Sequence, residues 1–276
     1  MSTIRVEIPP FPGNKRIAFT TSWDDGTVED RRVVPFLTEL GIKGTFNLNS
    51  ATFGRTGTPP PMESGGRLDL SEVEPLYRGH EVAIHTSTHP HLPRLDPSQI
   101  AYEVLDDRKA LEDIVGYPVR GMAYPFGTYD QKTIDILKAL GVVYCRTCEN
   151  KDPCFPPAEP LAWGSTAHHM AKDLHSRWNA LLENKRRSAV FFIWGHAFEF
   201  PREGWDKLES IYRPFAGHSD VWYCTNIELF DYEAARKAIV IAANKKSAYN
   251  PSAIPVTLLV GDKIIDIPPG VVTSLV

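Results

Sequence analysis

The chain has 276 residues, 42% hydrophobic and 23% charged, enough apolar material for one large domain; a disordered chain is excluded. Its 30 Lys and Arg against 34 Asp and Glu leave a net charge of -4, which excludes bulk attraction to nucleic acid. No run approaches the ~18 apolar residues of a membrane helix, and Met1–Gly13 lacks the basic start and apolar run of a secretory signal, so a cytoplasmic protein with no membrane partner is expected.

In chain order, Ile17–Ser22 reads as a strand. Val28–Leu40 reads as a helix, with Val33, Val34, Phe36, Leu37 and Leu40 as its apolar face and Gly41 as its stop. Ile42–Asn49 is a second strand. Ser50–Arg67, with four glycines and Pro59, Pro60 and Pro61 in a row, is too long for a plain connector; following a strand, it is expected on the active face. Ser71–Arg78 suggests a helix capped by Ser71 and stopped by Gly79, followed by a strand over Glu81–Thr86. Pro97–Val115 is the longest amphipathic helix, with Ile100, Val104, Leu111 and Ile114 on one stripe. Val119–Pro125 is a strand, Asp130–Leu140 a helix ended by Gly141, and Val142–Thr147 a strand. A helix within Ala171–Asn184 precedes the apolar strand Ala189–Trp194, a strand at Val221–Thr225 and a helix over Glu228–Ala242.

This alternation argues for a parallel sheet, and seven or so units at this length argue for a closed or nearly closed (β/α) barrel, with an open doubly wound sheet as the alternative. Val256–Val260, the Gly261-Asp262 turn and Ile264–Ile267 read as a hairpin, so the expected division is a barrel over 1–245 and a small β appendage over 246–276. The cysteines, Cys145, Cys148, Cys154 and Cys224, complete no zinc set and are read as incidental thiols.

Four strand ends carry the chemistry. Asp24 and Asp25 stand together after the first strand; adjacent carboxylates repel unless one meets a cation, although a helix cap and a solvated acid would also account for them. His85 and His89 lie four apart at another strand end, with His91 just beyond. Two imidazoles and a carboxylate leave coordination positions open, which suits a catalytic divalent ion rather than a closed structural site. Tyr124-Pro125-Phe126-Gly127 can turn a backbone N–H toward the same face, and the apolar strand Phe191–Trp194 runs on through Gly195 to His196. His168 and His169 are read as solvent-facing or pocket-lining, Trp222 and Tyr223 as core before sugar platform, and Lys185-Arg186-Arg187 as a basic helix end.

In this order the motifs resemble those of the polysaccharide deacetylase family, also known as the NodB-homology family or carbohydrate esterase family 4. Ser22-Trp23-Asp24-Asp25-Gly26 is similar to its Thr-Phe-Asp-Asp-Gly motif, and His85-Thr86-Ser87-Thr88-His89 fits His-Ser/Thr-x-x-His at every position. Tyr124–Gly127 is similar to the third motif and His196 to the late Leu-x-His, so the likeness covers about residues 15 to 230. The resemblance implies a distorted (β/α)7 barrel and metal-dependent hydrolysis of an N-acetyl amide, less often of an O-acetyl ester. It makes Asp25, His85 and His89 the ligands of one divalent ion, zinc first, with cobalt, nickel, manganese or iron as alternatives. Asp24 becomes the general base, His196 the general acid and the Phe126 backbone N–H an oxyanion donor beside the metal. Arg120, five residues before Pro125, stands nearest to the family's third-motif Arg, which orients the catalytic Asp. The family's fourth motif, whose Asp tunes the catalytic His and whose Trp lines the pocket, has no clear counterpart; Trp163, Glu149 and Glu199 are the candidates to replace it. Trp23, Tyr124, Trp163 and Trp194 are the expected substrate contacts.

The expected function is deacetylation of an N-acetylated sugar or glycan, with no nucleic-acid partner. A different non-peptide C–N amide, or a carbohydrate-binding relative without turnover, are the alternatives.

Overall fold

The computed structural model describes residues 5–54, 66–151, 154–186 and 188–276. The proline triplet of the long loop and Arg187 of the basic run lie outside the described residues. A short strand, β1 (Val6–Glu7), precedes β2 (Ile17–Asp24), β3 (Gly44–Leu48), β4 (Glu81–Ile84), β5 (Gly121–Ala123), β6 (Tyr144–Asn150), β7 (Trp163–Ser165), β8 (Ala167–His168) and β9 (Ala189–His196). Between these strands lie α1 (Asp30–Glu39), α2 (Leu70–Tyr77), α3 (Pro97–Val115), α4 (Gln131–Ala139) and α5 (Leu174–Glu183).

The strands from β2 to β9 form one parallel sheet in the order β7-β6-β5-β4-β3-β2-β9-β8. β7 and β8 are separated only by Thr166, so the two ends of the sheet are one continuous segment. The sheet therefore curls into a barrel of seven staves, distorted where that segment changes partner, as the barrel reading expected. Thr166 holds the seam: its N–H donates to the Phe192 carbonyl (2.8 Å) and its Oγ1 accepts from the Phe192 N–H (3.0 Å). Sequence periodicity missed β7 and β8 because strands of three and two residues have no period to read.

β2 is the keystone. All eight of its residues are buried, the mark of a parallel strand covered on both faces. β9 pairs with it along its whole length; β10 (Val221–Tyr223) flanks Ile17–Phe19 and β3 flanks Thr21–Asp24. α3 packs through Ile100, Val104 and Leu111, all fully buried and each contributing about 1.5–3 kcal/mol relative to exposure. Asp96 caps this helix, accepting from the Gln99 N–H (2.9 Å), and left-handed Gly116 ends it. The cap of α2 is Asp69, in a reciprocal box with Glu72, rather than Ser71, which lies inside the first turn.

After β9 come α6 (Phe200–Glu203), α7 (Trp205–Tyr212) and, beyond β10, α8 (Asn226–Ala238). The C-terminal residues form β11 (Val240–Ile241), β12 (Ser247–Tyr249), β13 (Val256–Val260), β14 (Lys263–Ile267) and β15 (Val272–Ser274). β13 and β14 are the expected hairpin, extended by β1; β11, β12 and β15 make a second antiparallel sheet.

One buried acid yields a prediction. Asp30 is 1% exposed; its Oδ2 accepts from the Tyr77 hydroxyl (2.6 Å) and its Oδ1 has no hydrogen-bond partner. Burial pushes its carboxyl up to about 8 from 3.8. Between these values the folded state binds the extra proton, so stability falls as pH rises through that window. Asp30→Asn should therefore gain on the order of 2 kcal/mol over the parent at pH 8 and almost nothing below pH 4, as urea unfolding at the two pH values would show.

Candidate metal centre

Asp25, His85 and His89 converge where β2 and β4 end, with one donor atom from each within 4.8 Å of the others. Asp25 Oδ1 lies 3.9 Å from His85 Nε2 and 3.6 Å from His89 Nε2. These separations are close to the roughly 3.3 Å between ligand atoms that ~2.0 Å bonds to a tetrahedral ion require. The donors themselves fit an ion. Asp25 Oδ1 is buried without a hydrogen-bond partner. His85 Nδ1 sits 2.8 Å from the Ala123 carbonyl oxygen; a carbonyl can only accept, so Nδ1 carries the proton and Nε2 offers its lone pair. Burial pulls the His85 ring down from its ordinary range, and burial with the neighbouring His85 takes His89 down to about 4, leaving both neutral near pH 7.

The backbone is bent to assemble this set. Among the described residues six non-glycines have positive φ, and four of them are here: Asp25 (83°), Thr86 (67°), His89 (63°) and Phe126 (58°). Such conformations cost about 1–3 kcal/mol each and persist only where surrounding bonds dictate them. Those bonds are visible. Asn49 Nδ2 donates to the His85 and Thr86 carbonyls (2.6 and 2.9 Å), and the buried Asp107 of α3 accepts from the His85 N–H (2.9 Å). Arg67, at the far end of the long loop, donates to the Asp25 carbonyl (2.5 Å). Phe126, whose side chain is 55% exposed, lays its ring against His89 (4.4 Å) and stacks on His91 (4.0 Å).

Asp24 lies one residue before Asp25 and is fully enclosed. Its Oδ1 accepts from Asn47 Nδ2 (2.8 Å) and its Oδ2 from Arg146, a wholly buried guanidinium on β6. Burial would raise its carboxyl, but Arg146, His85 and His196 outweigh burial and hold it at about 2. Arg146 also lies over the Trp194 ring, 4.6 Å from its centroid. The sequence pointed to Arg120 for this pairing, and the structure corrects it. Arg120 forks onto Asp231 of α8 (2.9 and 2.6 Å), because its place at the opening of β5 puts it at the other end of the barrel. The available signal was a cation directly after the apolar residues 142–145, at the start of β6.

On the far side of Asp24, His196 brings Nε2 to 3.9 Å from Asp24 Oδ2 and Nδ1 to 3.6 Å from Glu199 Oε2. Of the candidates to accompany this histidine, Glu199 reaches it. Glu149 pairs instead with Lys151 and Tyr129. Burial disfavours the charged His196 ring, but Glu199, Asp24 and Asp25 more than offset it and move the ring upward.

Three of the four expected aromatic contacts lie elsewhere. Trp23 is 1% exposed and packs among Phe46, Phe200 and Tyr212, because strand alternation sends it to the face opposite Asp24. Tyr124 is equally buried, its hydroxyl donating to the Leu161 carbonyl (2.8 Å), and Trp163 is sealed against Phe192 and Tyr144. Trp194 is partly exposed at the site, with its Nε1–H donating to Asn150 Oδ1 (3.0 Å). His168 lies beside it, ring centroids 4.7 Å apart, whereas His169 is neither solvent-facing nor pocket-lining but buried.

Residues 12–145 match the family model described as polysaccharide deacetylase, the family whose motifs the sequence resembles. A peptidoglycan-N-acetylglucosamine deacetylase from Listeria monocytogenes is 30% identical over 137 residues, 49% of this chain and 26% of that protein, so the match spans about a quarter of the relative's length. A provisionally assigned polysaccharide deacetylase from Mycobacterium smegmatis superposes with a TM-score of 0.63 at 18% identity, covering 84% of this chain and 96% of the other. The Xyl-CE4 domain of a multidomain xylanase from the hindgut metagenome of Trinervitermes trinervoides superposes at 0.53, also with 18% identity, covering 80% and 93%. At these identities the superpositions show the fold. Among the described residues no helix is long and apolar enough to cross a membrane.

Proposed function

We propose, from the polysaccharide deacetylase family match of residues 12–145 and the site built around it, that this chain hydrolyses the acetyl amide of an N-acetylated sugar or glycan. The observation that carries this reading is Asp24, a buried carboxylate held by Arg146 and Asn47 between the Asp25–His85–His89 set and His196. In this reading Asp25, His85 and His89 hold one divalent ion, zinc before cobalt, nickel, manganese or iron. Such an ion, when bound, makes water acidic enough to attack and polarises the acyl oxygen. Asp24, ionised at any pH above about 2, takes the proton from the attacking water. The backbone N–H of Phe126 would stabilise the developing oxyanion, and His196 Nε2 gives its proton to the departing amine, which could not leave as an anion. The partly exposed Trp194, with His168 beside it, offers a flat wall to the apolar face of a sugar ring. The Listeria relative, described as acting on peptidoglycan N-acetylglucosamine, supports the same substrate class.

The test is acetate release from N-acetylated sugars and oligosaccharides by zinc- or cobalt-loaded protein beside a chelated control. Metal-dependent release is expected. Silence from protein that holds its metal would redirect the reading to another C–N amide. His85→Ala should lose metal and turnover together, read by elemental analysis and the same assay; an active, metal-free variant would overturn the ligand set.

A further inference from the structure

The residues behind His196 form a second cluster whose chemistry is that of positioning. His169 follows β8 and is fully buried, its ring edge-on to Trp23 (5.4 Å) and Phe200 (5.0 Å). Its Nε2 lies 2.5 Å from Glu199 Oε2 and its Nδ1 lies 3.4 Å from the Tyr212 hydroxyl. The ring occupies space that β9 has cleared for it. A Cβ on Gly195 would stand 2.4–2.5 Å from three His169 ring atoms, so only glycine fits in the position directly before His196.

Proton placement follows from the partners. The Met170 N–H donates to His168 Nδ1 (3.3 Å), so Nδ1 is an acceptor and the ring carries a proton on Nε2, which faces Glu199 Oε2 at 3.3 Å. The Glu199 carboxylate can only accept, so His169 carries its proton on Nε2, and its Nδ1 is left to accept from the Tyr212 hydroxyl. The His196 backbone N–H donates to the same Glu199 oxygen (3.1 Å). Three N–H groups thus converge on one carboxylate oxygen, which lies 3.6 Å from His196 Nδ1. His168, His169 and Glu199 also lie close enough to hold an ion, but rings that present N–H toward the carboxylate describe a hydrogen-bond hub. Burial alone would raise Glu199; the surrounding histidines overcome it and hold this carboxyl far below its ordinary range.

We propose that His169 is a positioning residue that fixes the Glu199 carboxylate as an anion aimed at His196 Nδ1, so that His196 keeps its other proton on Nε2, toward Asp24 and the leaving group. This rests on the reading of His196 as proton donor. The charged and titratable groups facing His196 are Asp24 and Asp25 from the end of β2, Glu199 from its own turn, and His168 and His169 from the β8 segment. His169 gives up no proton in the reaction; its role is spent in orientation.

The experiment follows imidazole nitrogen resonances of the 15N-labelled, zinc-loaded full chain against pH, in parent, Glu199→Gln, His169→Leu and His169→Gln. Loss of the anion or of its anchor should lower the His196 titration midpoint by about one pH unit. His169→Gln, which still places an N–H near Glu199, should stay close to the parent. Where turnover is measurable, His169→Leu should lower kcat about 10–100-fold with little change in KM. A His196 midpoint and tautomer unchanged in Glu199→Gln overturns the proposal. So does a zinc content that falls from two equivalents to one in His169→Leu, since the cluster would then be a metal site. If His169→Leu does not fold, the His169 ring decides in the parent: nitrogen shifts of an Nδ1–H tautomer there, which could not donate from Nε2 to Glu199, would overturn the proposal. Absence of acetate release from the parent itself would count against the deacetylase reading, while the nitrogen titrations would still decide the role of His169.

Discussion

Asp24→Asn is expected to keep its metal and to lose turnover by about 10³-fold or more, the scale of removing a general base and its charge from an enclosed site. The expected ligands are untouched: His85 is held by Ala123, Asn49 and Asp107, the Asp25 carbonyl by Arg67 and the His89 N–H by Thr86 Oγ1, none of them through the Asp24 side chain. What changes is the proton acceptor and the counter-charge of Arg146. An amide can offer one oxygen to Arg146, but its NH₂ then faces the NH₂ of Asn47, two donors with no acceptor between them. A wholly buried guanidinium left without an anion should also cost about 3–5 kcal/mol of stability. Elemental analysis, the acetate assay and urea unfolding on one preparation separate these effects. Full activity in this variant would remove Asp24 as the base.

The second large effect is expected from Arg146. In Arg146→Met the carboxyl of Asp24 loses the strongest of the influences that oppose burial, and burial then drives it upward from about 2. The acid limb of the pH–rate profile should move to higher pH by more than one unit, because a larger share of Asp24 is protonated and unable to accept. The sign for stability follows. A depressed carboxyl contributes stability above its unfolded value of 3.8 that is lost as pH falls toward 2; without Arg146 that contribution is absent at neutral pH. Breaking the pair from the cationic side should again cost about 3–5 kcal/mol. Arg146→Lys should not restore the parent, since an ammonium cannot both bond Asp24 and lie flat over Trp194. An acid limb unchanged in Arg146→Met would show that Asp24 owes its ionisation to other groups.

The contrast between these residues marks what a linear reading can reach. Asp25, His85 and His89 were legible because each sits at a strand end inside a short motif whose spacing is itself the chemistry. The barrel was legible through long periodic segments such as Pro97–Val115, whose helix the structure places over the same residues. Arg146 was not, because its partnership with Asp24 spans 122 positions and depends on which strand ends face each other across the barrel. Arg120 was the nearer choice along the chain and the wrong one in space. Trp23, Tyr124 and Trp163 show a different failure: an aromatic next to a catalytic motif looks the same in sequence whether it faces the cleft or the helix layer. His169 was open to two readings, and neither included the space that Gly195 leaves for it.

The pairing of β2 with β9 has a consequence for how the chain acquires its fold during synthesis. β2 is complete at Asp24, yet the strand that covers one of its edges is finished only at His196. At roughly 5–20 residues per second the keystone strand waits on the order of ten seconds with that edge unpaired. For that interval a run of eight residues destined for burial presents free N–H and C=O groups to any neighbouring chain. The side chains of the candidate metal centre are all made by residue 89, so an ion bound there would gather the early strand ends before the barrel can close. Yield on expression should therefore depend on growth temperature and chaperone supply more steeply than the stability of the finished barrel would suggest.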